Sequence, residues 1–354
     1  MNVLLTSGAR RIDFVGFFQE AMKNAGILGQ VVVADPDHNA PSLQAGDKNY
    51  VIPHQTDERY IEAILHICKE NDIKAIVPLN DWEVPKIANY KKELMELGVS
   101  VFTPDPQVVQ KVRDKGKYRE MLGSFGVVAP RSYLKLNDAV EALNNKEVSF
   151  PLIVKPRNGS ASMGVEIVND VEEMEFAYQH AVKTVKETPL ADATSKDPED
   201  NVLIEEVIEG EKFSLDMFND LEGNFLASFV RKQLAMRGGD VDRCVTVHQK
   251  ELDDIARKMG ENLRHAGYMN ADVYYDGKEY YVIDINPRFG GGYAFTHIAG
   301  ADIPSAILAL TDGRKVKKEW LQDDQEIELA RHDRVVRIDE RNVQNTFTEA
   351  GIRQ

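Results

Sequence analysis

Residues Tyr280–Gly292, "YYVIDINPRFGGG", decide how the rest of the chain is read. The run opens like a buried β-strand and closes in three consecutive glycines. Asp284, Asn286 and Arg288 are spaced two apart, and residues two apart on a strand share a face. An acid, an amide and a guanidinium are therefore expected side by side at the strand's end. Just upstream, "YMNADVYYDGKEYYVIDIN" puts Asp272 in one strand and Asp284 in the next, with Asp276–Gly277 as a hairpin signal between them. Two carboxylates on paired antiparallel strands, with Asn286, form a hard-oxygen cluster suited to Mg²⁺ held together with nucleotide phosphates. Arg288 beyond them can grip an anion bidentately. A salt-bridged strand end explains this stretch equally well when it is taken alone.

Two other stretches carry chemistry. In "PLIVKPRNGSASMGV" an apolar strand delivers Lys155 into a loop of Gly159, Ser160, Ala161, Ser162, Met163 and Gly164. Small residues let backbone N–H groups approach phosphate oxygens, and the lysine adds a fixed positive charge. The lysine precedes the glycines, so this is not the G-x-x-x-x-G-K-[ST] loop, and a plain hairpin is the alternative. In "NVLIEEVIEGEKFSLD" a strand carries Glu205 and Glu206 into Val207 and Ile208 before Gly210 turns the chain. Such a hinge offers the backbone polar groups and apolar faces that an adenine needs. A solvated hairpin with surface acids is the alternative there.

The first hundred residues alternate short apolar runs, "NVLLTS", "QVVVADP", "KAIVPLN" and "GVSVFTP", with helical patterns, including one from about Asp57 to Asn71. Strands separated by single helices imply a parallel sheet covered on both faces, a Rossmann-type domain. Its first turn, "TSGARR", lacks the G-x-G-x-x-G pattern, so Asp35 at the end of the second strand is not expected to hold a dinucleotide ribose. Asp81 and Glu83 in "PLNDWE" fall just past a strand end, where crevices of open α/β sheets lie, but read rather as ordinary turn and helix-capping acids. A helical connector follows from about Asp105 to Phe125. Strands without intervening helices then imply antiparallel sheets from Pro151 onward, with helices near Val171–Val185 and Asp253–Ala266. Lys186–Asn201 is a polar surface loop, and His248 and His297 have no evident partners.

At 354 residues the chain is too long for one ordinary core, and 43% hydrophobic with 29% charged residues describes a globular protein. A net charge of −15 disfavours binding to nucleic acid. Two distant cysteines, Cys68 and Cys244, fit neither a disulfide framework nor a metal site. No apolar run is long enough to span a membrane, and the first residues show no signal-peptide pattern. The expected location is the cytoplasm.

Taken together and in order, these motifs resemble the ATP-grasp superfamily, in particular one ATP-grasp module of the carbamoyl-phosphate synthase large subunit. The resemblance runs through "LLTSGARR", "RDKGKYREML" with "GVVAP", "VKPRNGSASMGV", "IEEVIEG" and "DINPRFGGG". Asp284 stands where the family's E-x-N-P-R signature has Glu. The resemblance implies a pre-ATP-grasp Rossmann-like domain over 1–112, a connector helix and lid over 113–207, an antiparallel core over 208–315 and an extension over 316–354. It implies that Lys115 and Lys155 bind ATP phosphates under a closing loop containing Ser160, Ser162 and Gly164. Glu205, Glu206, Val207 and Ile208 would form the adenine hinge, with Glu211 as a substitute ribose ligand because Lys212 falls near the usual acid. Asp272, Asp284 and Asn286 would hold one or two Mg²⁺ (Mn²⁺ can take the same site), and Arg288 would face an acyl phosphate or a substrate carboxylate. Arg231, Lys232, Arg237 and the Gly290–Gly292 turn are weaker candidates.

The activity implied is an ATP- and Mg²⁺-dependent carboxylate–amine ligase that passes through an acyl phosphate and releases ADP and phosphate. Catalysis would rest on Arg288, Lys155 and Asn286. A half-module of carbamoyl-phosphate synthase, a ligase with a hydroxyl or thiol acceptor, and a nucleotide-binding protein without turnover are the rivals. The partners expected are small-molecule carboxylates and amines, with oligomeric state left open between monomer and homodimer.

Overall fold

The structure is a computed structural model that describes residues 1–158, 164–187, 197–324, 326–348 and 351–352. Five strands, β1 (Asn2–Thr6), β2 (Val31–Asp35), β3 (Lys48–Val51), β4 (Ile73–Pro78) and β5 (Ser100–Val101), form a parallel sheet in the order β3-β2-β1-β4-β5. Every residue of β2 is buried, as expected for a strand covered on both faces. β3 was not evident from the sequence. It is four residues long with two buried, and only a 3-10 turn over Pro41–Gln44 separates it from β2, so no helical pattern announces it.

The strand order reverses between β1 and β4, and crevices in open α/β sheets lie at such points. Here the loop after β1 is held by two buried carboxylates. Glu83 accepts hydrogen bonds from the Ser7 hydroxyl (2.7 Å), the Tyr60 hydroxyl (2.6 Å) and the Leu79 and Asn80 backbone N–H groups. Asp35 accepts from the N–H groups of Ala9 (2.8 Å) and Asp37. Ser7 and Ala9 both have positive φ, 50° and 46°, a strained pair that this bracing supports. Asp35 and Glu83 are therefore structural brackets, and Asp35's lone pairs go to the protein's own backbone.

The lid sheet contains β6 (Ser132–Tyr133), β7 (Leu152–Pro156), β8 (Glu166–Val168) and β9 (Val202–Glu206), all antiparallel in the order β6-β9-β7-β8. The helix Val171–Lys186 packs Met174, Ala177, Tyr178 and Ala181 onto Leu152, Val154, Val202 and Ile204. From Glu206 the chain passes through Val207–Gly210 into the core sheet. Its strands are β10 (Glu211–Asn219), β11 (Phe225–Arg237), β12 (Asp240–Thr246), β13 (Gly267–Tyr275) and β14 (Tyr280–Asn286), ordered β14-β13-β10-β11-β12 and antiparallel throughout. The amphipathic helix Lys250–Leu263 buries Leu252, Ala256 and Met259 beneath it.

One cluster joins the first and last parts of the fold. Phe14 and Phe18 from the N-terminal domain pack with Phe289, Tyr293 and Ile303. The Phe14 and Phe289 rings meet edge to face at 5.2 Å, and Tyr268 stacks on Phe289 at 4.2 Å. His297 belongs to this cluster, stacked on Phe17 at 3.8 Å with the Tyr293 hydroxyl 3.1 Å from its Nδ1, and His248 lies 3.2 Å from Asp323. Both histidines thus have partners that the sequence did not reveal.

Two short strands beyond residue 315 join the core and parallel sheets. β15 (Glu328–Ala330) extends the core sheet beside β12, and β16 (Gln344–Asn345) extends the parallel sheet beside β3.

Candidate functional site

The site lies where the lid sheet faces the core sheet, closed at one end by the N-terminal domain. Lys155 on β7 and Glu205 on β9 are diagonal neighbours on one face of the lid sheet, since Lys155 pairs with Leu203 and Ile153 with Glu205. The Lys155 ammonium reaches Glu205 at 2.5 Å, with both side chains nearly buried. Strand alternation turns Glu206 the other way, where its carboxylate accepts from the Arg131 N–H at 2.7 Å. Of the two hinge acids only Glu205 faces the cleft. Burial raises its pKa, against the pull of Lys155 and Lys115.

On the opposing wall Asp272 and Asp284 are register partners on β13 and β14. Lys115 stands 2.8 Å from Asp284 and Lys212 stands 3.0 Å from Asp272. Gln233 donates to the other Asp272 oxygen at 3.3 Å. Burial pushes the Asp272 carboxyl up despite Lys212. For Asp284 burial acts in the same direction, but Lys115, Lys155 and Arg288 outweigh it and its pKa is lowered. Burial tends to lower the Lys212 pKa, yet Asp272 reverses this and raises it.

Arg288 leaves the end of β14 and closes the site toward the N-terminal domain. Its Nη2 donates to Asp81 Oδ2 at 2.5 Å and to Asn286 Oδ1 at 3.2 Å, and its Nη1 donates to the Phe289 carbonyl. Asp81 is thus the counterion of the signature arginine, where the sequence suggested a turn acid. Its place beyond the carboxyl end of β4 was the available signal. Arg288 Nε and Asp81 Oδ1 are buried without hydrogen-bond partners among the described residues. Two further guanidinium groups converge on the same glycine turn. Arg11 donates to the Leu79 and Phe289 carbonyls (2.7 and 3.2 Å), and Arg331, carried in by β15, donates to the Gly291 carbonyl (2.7 Å). Burial first, and then the neighbouring Arg288, lower the Arg11 pKa to about 10.

Several braces set this geometry. Arg157 pairs bidentately with Asp114 at 2.5 and 2.8 Å, both buried, tying the turn that bears Lys115 to the end of β7. The Tyr118 hydroxyl accepts from the Ile285 N–H (3.0 Å) and donates to the Val112 carbonyl (2.6 Å), locking the connector to β14.

The structure thus brings Lys115, Lys155, Glu205, Asp272, Asp284, Asn286 and Arg288 together. Ser160 and Ser162 lie outside the described residues, and Gly164 follows them with φ 65°. Val207 and Ile208 lie in the hinge, half-buried. Glu211 is exposed at the start of β10 and taken by Lys232. Arg231 is fully buried and paired with Asp216 and Thr296, which makes it part of the core's polar network. Arg237 is exposed and tied to Asp242 and Asp333.

Among the described residues no three His, Cys, Asp or Glu side chains cluster to hold a metal by themselves. Asp272, Asp284 and Asn286 nonetheless fit a hard cation. They are two carboxylates on facing register positions plus an amide, all oxygen donors, and they suit Mg²⁺ when phosphate oxygens complete the shell.

Comparison with known proteins matches two stretches of the chain to known families. The family model "PylC-like, N-terminal domain" matches residues 3–102, and the model "ATP-grasp domain" matches residues 148–297. The carbamoyl phosphate synthase large chain of Clostridium acetobutylicum is 24% identical over 311 residues, which is 84% of this chain and 27% of that protein. The chain therefore spans about a quarter of that relative's length. Among solved structures, the biotin carboxylase–βγ-ATP complex from Campylobacter jejuni superposes with a TM-score of 0.72 at 18% identity, covering 91% of this chain and 73% of that one. The biotin carboxylase domain of Hydrogenobacter thermophilus 2-oxoglutarate carboxylase, in complex with MgADP and bicarbonate, superposes with a TM-score of 0.71 at 18% identity, covering 92% and 73%. The chain carries an ATP-grasp domain over residues 148–297 behind a PylC-like N-terminal domain over residues 3–102, and it resembles one ATP-grasp module of the carbamoyl phosphate synthase large chain.

Proposed function

We propose that the protein is a carboxylate–amine ligase that uses ATP and forms its amide through an acyl phosphate. The observation that carries this reading is one cleft between two sheets, where Lys115 and Lys155 meet Glu205, Asp272 and Asp284 while Arg288 stands at the far end. The lysines can leave their carboxylates for phosphate oxygens, and the hinge after Glu205 supplies the adenine edge. Asp272, Asp284 and Asn286 would hold Mg²⁺, which when bound neutralises and orients phosphate oxygens.

Arg288 would anchor the substrate carboxylate in line with the γ-phosphate. An oxygen of that carboxylate then attacks phosphorus, and ADP leaves with the electrons of the broken P–O bond. An amine next attacks the acyl carbon, phosphate leaves with the C–O electrons, and a proton is released as the amide forms. Water would hydrolyse the acyl phosphate, so the cleft must exclude it during turnover. The buried reduced thiols Cys68 and Cys244 accord with a cytoplasmic setting.

The test is to supply ATP, Mg²⁺ and a panel of carboxylates, bicarbonate included, with a panel of amines. The expected products are ADP and phosphate in equal amounts, dependent on one carboxylate and one amine. AMP with pyrophosphate would rule out the acyl-phosphate route, and turnover on bicarbonate alone would favour a carbamoyl-phosphate-type half reaction. Asp284→Ala should lose turnover while its circular dichroism stays native; an active variant would remove the metal assignment.

A further inference from the structure

We propose that the Lys212 ammonium is a fixed cation at the metal carboxylates, so that this site takes one divalent ion and not two. The inference rests on the ATP reading above. Lys212 lies in β10, a central strand of the core sheet, directly opposite Tyr274 on β13. Asp272 is two residues from Tyr274 and therefore on the same face, a diagonal neighbour of Lys212. The side chain runs beside the Tyr274 ring, with Nζ 5.9 Å from its centroid, and ends 3.0 Å from Asp272 Oδ2.

With Gln233 on Oδ1, both oxygens of Asp272 already have donors. A Mg²⁺ bonds oxygen at about 2.0–2.1 Å, so an ion on Oδ2 would stand close beside the ammonium and be repelled by it, which leaves Asp272 to meet a single ion through Oδ1. Lys115, which covers Asp284, is placed differently. It belongs to a 3-10 turn of the connector, Lys115–Lys117, and faces the lid lysine and Glu205 across the cleft. Phosphate can draw Lys115 toward itself and uncover Asp284, which with Asn286 and Asp272 Oδ1 makes the place for one ion. Lys212 has its backbone hydrogen-bonded in the sheet and its stem beside an aromatic ring, so it stays on Asp272. There it supplies the positive charge that a second ion would bring.

Equilibrium dialysis of the full chain with Mn²⁺ and β,γ-imido-ATP, read by the electron paramagnetic resonance of free Mn²⁺, tests this. The wild type should retain one Mn²⁺ per chain, Lys212→Gln should retain two, and the charge-keeping Lys212→Arg should retain one. Two ions in the wild type, or one in a natively folded Lys212→Gln, would overturn the role of Lys212. If Lys212→Gln does not fold, two ions in Lys212→Arg would overturn it as well. Failure of β,γ-imido-ATP to bind the wild type, seen by calorimetry, would instead sink the ATP reading and this inference with it.

Discussion

Arg288 was legible as an anion-binding group, but its counterion was not. Asp81 lies two hundred residues upstream, on a loop whose acids resemble any other turn, and only folding brings its carboxylate to 2.5 Å from Nη2. Hydrogen bonds to charged groups contribute about 1.5–3 kcal/mol. Asp81→Asn is therefore expected to lower kcat/KM for the carboxylate substrate by roughly 10–100-fold while leaving the Kd for ATP unchanged, as measured by steady-state kinetics and nucleotide titration. His265 presents a second case at this scale. It is fully buried, and burial lowers its pKa to about 4 from the usual 6.5. Between those values the unfolded chain binds the proton and the native chain does not, so stability falls as pH drops from 6.5 to about 4. The full loss is roughly 3 kcal/mol. His265→Leu should flatten the fall in urea midpoint across that window relative to the wild type.

At the scale of elements, the hinge shows what alternation can and cannot settle. The pair Glu205–Glu206 guarantees that one acid faces in and one faces out. The sequence does not say which, because that depends on the β7–β9 register that sets Glu205 diagonal to Lys155. Gly210 ends the hinge with φ 145°, and a Cβ there would lie 1.9 Å from the Tyr275 carbonyl oxygen. Gly210→Ala should destabilise the protein by about 1–3 kcal/mol through backbone strain and weaken ATP binding. Gly277, in the β13–β14 hairpin, also has positive φ (94°) but open space around its Cα. Gly277→Ala should cost only about 1 kcal/mol with ATP affinity kept. Urea denaturation and nucleotide titration of both variants would check the contrast. The DG hairpin and the presence of Asp272 and Asp284 on its two strands were evident beforehand, but a regular ladder from that turn would set Asp272 opposite Ile283, and only the bulge beside Asp272 brings Asp284 into register with it.

At the scale of the molecule, the final segment ties the two larger sheets together. β15 lengthens the core sheet, β16 lengthens the parallel sheet, and between them the chain delivers Arg331 to the Gly291 carbonyl. The Thr346 N–H and hydroxyl both donate to the Val51 carbonyl at 3.1 and 2.9 Å. Its charged composition conceals this role, because edge strands are held by backbone hydrogen bonds and need little apolar pattern. Ending the chain after Gln322 should lower the urea midpoint and raise KM for the carboxylate substrate. ATP affinity should persist, since Lys155, Glu205 and the hinge lie elsewhere.

By itself the sequence determined the class of each layer and the residue types of the site. Period-two apolar runs, a hairpin turn and small-residue loops are local signals, and local signals survive in one dimension. The tertiary structure alone decided which charges meet. The pairing of Asp81 with Arg288, of Lys212 with Asp272 and of Asp114 with Arg157 joins segments far apart in the chain. The reason is physical: a charge finds its partner by distance and burial, and neither quantity is set by the spacing of residues along the chain.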